Sequence, residues 1–174
     1  MKKYKIIYAD PPWSYKDKQN TKLLGGCIKH YPTMNIDNLI LLKVKEILDR
    51  DAILFLWTTS PQLENSFVVV NGWGFKYKTS FIWDKVKHNM GHYNSVRHEI
   101  LLVCTRGKMT PQVKKMFDSV QSIERNKKHS SKPEKFREII DTLYPNGNRI
   151  ELFARQKTEG WDVWGNEVDS SIVI

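Results

Sequence analysis

Along the chain, short apolar runs alternate with stretches in which apolar residues recur every three or four positions. Tyr4 to Tyr8 is a β-rich run that stops at Asp10-Pro11-Pro12, where neither proline can extend a central strand. A polar stretch follows to about Thr33, after which Ile36, Leu39, Ile40, Val44, Ile47 and Leu48 fall on one side of a predicted helix. Ala52 to Trp57 is uniformly apolar, the pattern of a strand covered on both faces. Ser60-Pro61 opens the next predicted helix, with Ser60 as its cap and Leu63, Phe67 and Val70 as its buried stripe. Gly72 ends it.

Phe75 to Trp83 and Glu99 to Cys104 are two further β-rich segments, and between them lies a predicted basic loop from Lys85 to Arg97. Ser131-Lys132-Pro133-Glu134 matches a capping box and opens a helix whose apolar face is Phe136, Ile139, Ile140 and Leu143. A turn at Pro145 to Asn148 leads into a last predicted strand, Arg149 to Phe153. The alternation predicts an α/β fold: a mainly parallel sheet with helices on both faces. The segment from Phe75 to Cys104 lacks a crossover helix, so an antiparallel edge pair is expected there. Ligands of such sheets bind beyond the carboxyl ends of the strands.

Composition narrows the class. With 174 residues the chain is expected to form a single domain, 1–174, with no separate target-recognition domain. An apolar fraction of 40% and a charged fraction of 27% are those of a globular protein. No apolar run reaches the roughly 18 residues that span a bilayer. The basic start meets Asp10 before a signal-peptide core could form, so a cytoplasmic protein with no membrane partner is expected. The 28 Lys and Arg against 19 Asp and Glu leave a net charge of +9, which points to a polyanionic partner, nucleic acid first. Cys27 and Cys104 are far apart and without a C-x-x-C neighbour, so neither a cysteine zinc site nor a disulfide is expected. His88 and His92 have a helical metal-ligand spacing, but Asn89-Met90-Gly91 between them reads as loop. No metal site is expected.

Asp10-Pro11-Pro12-Trp13 stands at the carboxyl end of the first predicted strand, where an active site belongs. An adenine amine is a poor nucleophile because its lone pair is delocalised into the ring. A carboxylate can accept one of its N–H groups and a backbone carbonyl held by prolines the other. Both bonds favour the charge that develops as the nitrogen attacks an electrophilic methyl group. The Trp13 ring offers a stacking face for a base outside its duplex. The same four residues also fit a Pro-Pro turn with a structural tryptophan. A second constellation is C-terminal: Lys132 at a helix start, Glu151 in the last strand, Arg155 just past it, and Asn166-Glu167. Lysine suits a carboxylate ligand, and amide and acidic groups suit ribose hydroxyls. Taken singly, each also fits a solvated cap, a surface salt bridge or an ordinary turn.

Together the segments form an ordered set. Tyr8 to Trp13, Tyr31-Pro32-Thr33-Met34, Leu54 to Trp57, Gly91-His92-Tyr93 with His98-Glu99, His129 to Pro133, Ile150 to Arg155 and Trp164-Gly165-Asn166-Glu167 follow one another along nearly the whole chain. This resembles the MT-A family of adenine-N6 methyltransferases, and its small bacterial and phage members most of all. The resemblance implies a Rossmann-like sheet that takes S-adenosylmethionine as cofactor. Asp10, Pro11, Pro12 and Trp13 match the catalytic motif, with Asp10 also beside the cofactor. Lys132 matches the lysine near the cofactor's methionine carboxylate; Arg155, Asn166 and Glu167 match residues around its ribose, and Glu151 a nearby pocket acid. Two departures stand out. Larger members have a strand upstream of the motif that brings an Asp-containing cofactor contact, where nine residues stand here. The family's mRNA enzyme carries glutamine where this chain has Glu167.

The resemblance implies methylation of adenine N6 in DNA. The alternatives are the same reaction on RNA, or a non-catalytic nucleic-acid-binding subunit, against which the intact Asp10 motif and Lys132 speak. Expected nucleic-acid contacts are Lys85, Lys87, His92, Tyr93 and Arg97 in the basic loop, then Arg106 and Lys108, with Lys114 and Lys115 beyond them. A third basic group is Arg125, Lys127 and Lys128. Solvated loops fit these charges too. A homodimer, which would double the basic face, is expected.

Overall fold

The computed structural model describes residues 2–14, 33–91, 93–125 and 132–174. Cys27, His30, His92, Lys127, Lys128, His129 and Ser131 lie outside them. In chain order the elements are β1 (Tyr4–Ala9), α1 (Ile36–Leu41), α2 (Val44–Ile47), β2 (Leu48–Thr58), α3 (Leu63–Gly72), β3 (Lys76–Met90), β4 (Ser95–Arg106), β5 (Val120–Ser122), α4 (Glu134–Leu143), β6 (Arg149–Leu152) and β7 (Asp162–Trp164).

The strands make one seven-stranded sheet in the order β5-β3-β4-β2-β1-β6-β7. β1 pairs in parallel with β2 and β6, and β6 with β7. β4 runs antiparallel to both its neighbours, β2 and β3, while the short β5 pairs in parallel with β3 and closes the edge. The antiparallel feature is therefore a single inverted strand set inside the sheet, with β5 outside the hairpin.

Both faces are covered, which is why the central strands read as unbroken apolar runs. Ile7, Ala9, Leu54 and Leu56 pack with Leu39, Val69 and Trp73 of the α1–α3 side. Ile6, Tyr8, Ile53, Phe55 and Trp57 pack with Phe136, Ile139, Ile140 and Leu143 of α4. Successive side chains alternate between these two layers.

Three local expectations are corrected. The helix predicted from Ile36 to Leu48 breaks at Leu42, whose ψ of 132° is extended, and Leu48 already belongs to β2. An unbroken helix would set Leu39 and Val44 about 140° apart; the break lets both bury completely. Ser60 does not cap α3: residues Ser60–Gln62 form a 3-10 turn, and the Ser60 hydroxyl lies 3.2 Å from His98 Nε2. The capping box at Ser131 gives way to a helix that begins at Glu134 with Pro133 as N-cap, and Glu134 pairs with Arg137 instead.

The basic loop expected from Lys85 to Arg97 is also mostly strand. β3 and β4 pair as far as Met90 with Ser95, after an irregularity between Asp84 and Asn89. Its polar residues read as loop because this end of the hairpin reaches beyond β2, whose last partner in β4 is Ile100.

Candidate active site

Asp10 follows Ala9, the last residue of β1, at the carboxyl ends of the parallel strands. All peptide bonds around it are trans. The carbonyl of Pro11 accepts the N–H of Trp13 at 2.8 Å, and that of Pro12 accepts the N–H of Met34 at 2.8 Å. The Trp13 indole N–H donates to the Trp57 carbonyl at 3.0 Å, and the ring is 6% exposed within the core. The motif is thus held at every residue after Asp10: Pro11 by its own turn, Pro12 by the segment before α1, and Trp13 by β2. Trp13 acts here as a core anchor, and the open stacking face expected of it is not what the fold presents.

Asp10 belongs to a line of charges built by strand alternation. Tyr8, Leu101 and Trp83 all lie in the layer facing α4. Two residues along each strand from these stand Asp10, Glu99 and Lys85, so the same face continues past the core as a polar row. Lys132, leading into α4, drops into that row. Its Nζ lies 2.6 Å from Asp10 Oδ2 and 3.3 Å from Glu99 Oε2, and 5.5 Å above the Trp57 ring. Lys85 donates to Glu99 Oε1 and sits 5.1 Å above the Trp83 ring. The Lys132, Glu99 and Lys85 side chains are 14%, 16% and 12% exposed.

Charges held in so little water disturb one another. Burial pushes the Asp10 carboxyl above the ordinary range, against the pull of Lys132. Burial acts on Glu99 in the same sense, but the ammonium groups of Lys132 and Lys85 outweigh it and hold Glu99 below its usual value. Burial would discharge Lys132; Asp10 and Glu99 keep its pKa raised. Opposed titrations of two neighbouring carboxyls are a common mark of a functional site.

The C-terminal residues divide. Phe153, just past β6, takes a positive φ of 61°, a strained turn for a non-glycine residue. Gly165 is pressed against it: a Cβ there would stand 2.3 Å from the Ala154 carbonyl oxygen. This close approach brings the two loops together, and Arg155 Nε donates to Glu167 Oε1 at 3.1 Å. Arg155, Gln156, Lys157, Asn166, Glu167 and Asp169 line an open groove of about 560 Å³. Glu151 turns towards α4, where its Oε2 stands 2.9 Å from Arg137 Nη2 without the alignment of a hydrogen bond. The Arg137 guanidinium itself lies over both the Tyr8 and Trp161 rings, 5.2 Å from each centroid.

The expected nucleic-acid residues divide as well. Lys85 faces inward to Glu99, Lys87 pairs with Glu124, and Arg97 holds Asp84 through two hydrogen bonds of 2.8 and 2.6 Å. Tyr93 is fully exposed near the tip of the hairpin, while His92 lies outside the described residues. Arg106 and Lys108 stand at the opposite end of the sheet from Asp10: Arg106 is level with Ala52, and the Lys108 N–H donates to Asp51. They do not rim the Asp10 pocket, because β4 is inverted.

Sequence reasoning gave no role to Glu99 or Arg137. The available signal for Glu99 was a carboxylate opening an otherwise apolar strand; Arg137 sits on a helical face between Phe136 and Ile140 and gave none.

Comparison with known proteins gives the family. The family model MT-A70 matches residues 4–167. The Type II methyltransferase M.MunI of Mycoplasma sp is 40% identical over 191 aligned positions, covering 99% of this chain and 82% of that protein. The N(6)-adenosine-methyltransferase catalytic subunit METTL3 of Homo sapiens is 27% identical over 96% of this chain. An N(6)-adenosine-methyltransferase MT-A70-like protein of Arabidopsis thaliana is 26% identical over 97% of it. The chain spans 28% and 24% of the length of these two eukaryotic proteins. With its motif at the carboxyl end of β1 and a match from Tyr4 almost to its last residues, the chain belongs to the MT-A70 family of methyltransferases.

Proposed function

We propose that this protein transfers a methyl group from S-adenosylmethionine to the exocyclic N6 amine of adenine in DNA. The observation that carries the reading is Asp10: a part-exposed carboxylate beyond the carboxyl end of β1, 2.6 Å from Lys132, in a chain of this family. The residues present fit the cofactor. A groove of about 560 Å³ has the size of a small-ligand site. Its guanidinium, amide and carboxylate groups from Arg155, Asn166 and Glu167 suit ribose hydroxyls, and Lys132 suits a carboxylate. When bound, S-adenosylmethionine supplies an electrophilic methyl group on a sulfonium.

The chain's own groups would then act as follows. A carboxylate has acceptor sites to spare after one ion pair, so Asp10 can hold Lys132 through Oδ2 and still accept an N–H of the target amine. Its negative charge would stabilise the cationic nitrogen as the N–C bond forms and the methyl group's bond to sulfur breaks, sulfur leaving as a neutral thioether. The amine would then lose a proton to solvent to restore neutrality. Lys132 keeps Asp10 oriented, and the hydrogen bonds of Pro11, Pro12 and Trp13 keep the motif from shifting as the substrate binds. Acting on nucleic acid, the enzyme would work in the cytoplasm.

DNA is favoured over RNA by the 40% identity to a Type II methyltransferase across 82% of its length. The 27% identity to an adenosine methyltransferase favours the same chemistry on RNA as the second reading. The test is incubation with labelled cofactor and DNA, RNA or neither, followed by digestion to nucleosides. N6-methyldeoxyadenosine from DNA is expected. Label in RNA alone would overturn the choice of DNA, and no label in either would overturn the reaction.

A further inference from the structure

Lys85 was expected among phosphate contacts, and its surroundings assign it elsewhere. It is 12% exposed, lies over the Trp83 ring and donates to a carboxylate that in turn pairs with Lys132. A phosphate ligand needs a cation that meets solvent. This one is spent inside the protein. From the hairpin to the end of β1 the signs alternate: Lys85, Glu99, Lys132, Asp10. The rings beneath the two ammonium groups, Trp57 and Trp83, contact each other at 6.2 Å between centroids, so one aromatic floor supports the line.

We propose that Lys85 is a positioning residue for methyl transfer: through Glu99 it holds Lys132 in place beside Asp10. The inference rests on Asp10 standing at the reacting centre. Glu99 has two oxygens and two cationic neighbours, one for each. Without Lys85, Glu99 would face Lys132 and, beyond it, the Asp10 carboxylate, with its own side chain only 16% exposed. Its proton affinity would rise, and a neutral Glu99 no longer fixes the Lys132 ammonium. Lys132 would then follow Asp10 alone and lose its second anchor. Among the described residues, the charged groups facing Glu99 are Lys85 from β3, Lys132 from the segment before α4, and Asp10 after β1, whose own further neighbour is Arg155.

The experiment compares wild type with Lys85→Met, which keeps the length of the side chain, and Lys85→Arg, which keeps the charge. Carbon-13 labelling of glutamate carboxyls, with Glu99→Gln to identify the resonance, follows the titration of Glu99 directly. In Lys85→Met the Glu99 midpoint should rise by about one pH unit, and Lys85→Arg should bring it back. On adenine-containing duplex DNA, kcat of Lys85→Met should fall about ten- to a hundredfold, the scale of a displaced catalytic group. The acid limb of its pH profile should move upward with Glu99. The slope of log Kd for DNA against log salt should stay that of wild type. A Glu99 that titrates unchanged, or a slope flattened by about 0.9 as for one lost phosphate contact, would overturn the proposal. If wild type methylates no adenine, the functional reading falls, and the Glu99 titration still decides whether Lys85 governs this carboxylate.

Discussion

Asp10 and Lys132 stand 122 positions apart in the chain, and their side chains meet at 2.6 Å. The distance is short because two different devices deliver them to one spot. Parallel strands on either side of β1 set Asp10 just beyond the sheet, and α4, packed across the face below, brings its leading segment back over the same edge.

Asp10→Asn keeps the shape of the side chain and removes its charge. The target amine loses its anionic acceptor, so turnover should fall at least ~10²-fold, the usual contribution of one positioned catalytic group. Cofactor affinity should change far less. Single-turnover methylation with saturating cofactor measures this, and near-normal turnover would refute the role given to Asp10.

Lys132→Ala should weaken S-adenosylmethionine binding by about 1.5–3 kcal/mol, as for a lost hydrogen bond to a charged group. The same change leaves Asp10 and Glu99 without their shared cation, so the Asp10 carboxyl should rise further above the ordinary range. Calorimetry of cofactor binding checks the first point. An unchanged affinity would make Lys132 purely a bridge between the two carboxylates.

Trp13→Phe tests the anchor. It deletes the indole donor to the Trp57 carbonyl and leaves the smaller ring in a core site. Stability should drop by about 1–3 kcal/mol, the penalty when one partner of a buried hydrogen bond is removed. Chemical denaturation followed by circular dichroism would show this as a lower midpoint. An unchanged midpoint would mean that the tryptophan serves only the substrate.

Asp84 sets an acid limit on the hairpin. Two bonds from Arg97, one from the Val86 N–H at 2.9 Å and one from the Ser122 hydroxyl at 2.9 Å converge on it. The Arg97 bonds above all hold its carboxyl well below the usual carboxylate range. A depressed folded pKa contributes stability that is complete above the ordinary value of ~4 and is lost as pH falls through the folded value. The hairpin should therefore stay closed in mild acid and loosen only in strong acid. Hydrogen exchange at the Val86 and Val96 amides reads this out. Asp84→Asn should loosen both amides already at neutral pH; equal protection in the variant would show that another contact holds the bulge.

Much of this was legible in the residues, for a physical reason in each case. Ala52 to Trp57, and Ile6 to Tyr8 after the exposed Lys5, are apolar on both faces because helices cover both, so their assignment as buried strands holds. Asp10 is the first polar residue after such a run and stands where an open α/β sheet places its ligands. That β3 and β4 run antiparallel was legible from their short connection; that β4 lies inside the sheet beside β2, with β5 at the edge, was not. That placement sends Arg106 and Lys108 to the far end of the sheet and brings Glu99 to Asp10, and no local pattern records which strand will be a strand's neighbour. The inward turn of Lys85 was not legible for a related reason: a lysine near the end of a strand looks like any solvated lysine until the carboxylate it meets, Glu99, is placed on the neighbouring strand.

The inverted strand also decides which parts of the chain are free to vary. β4 enters the sheet from the Asp10 end, so the turn joining it to β3 projects past Asp10, and the pairing of the two strands is held by the ladder from Lys76 to Asp84. Lengthening or exchanging that turn moves no group in the line from Lys85 to Asp10. Removing a single residue between Ser95 and Glu99 would instead swing the Glu99 carboxylate to the opposite face of the sheet. The far end of the hairpin can thus change in length while the charged groups beside Asp10 stay in place.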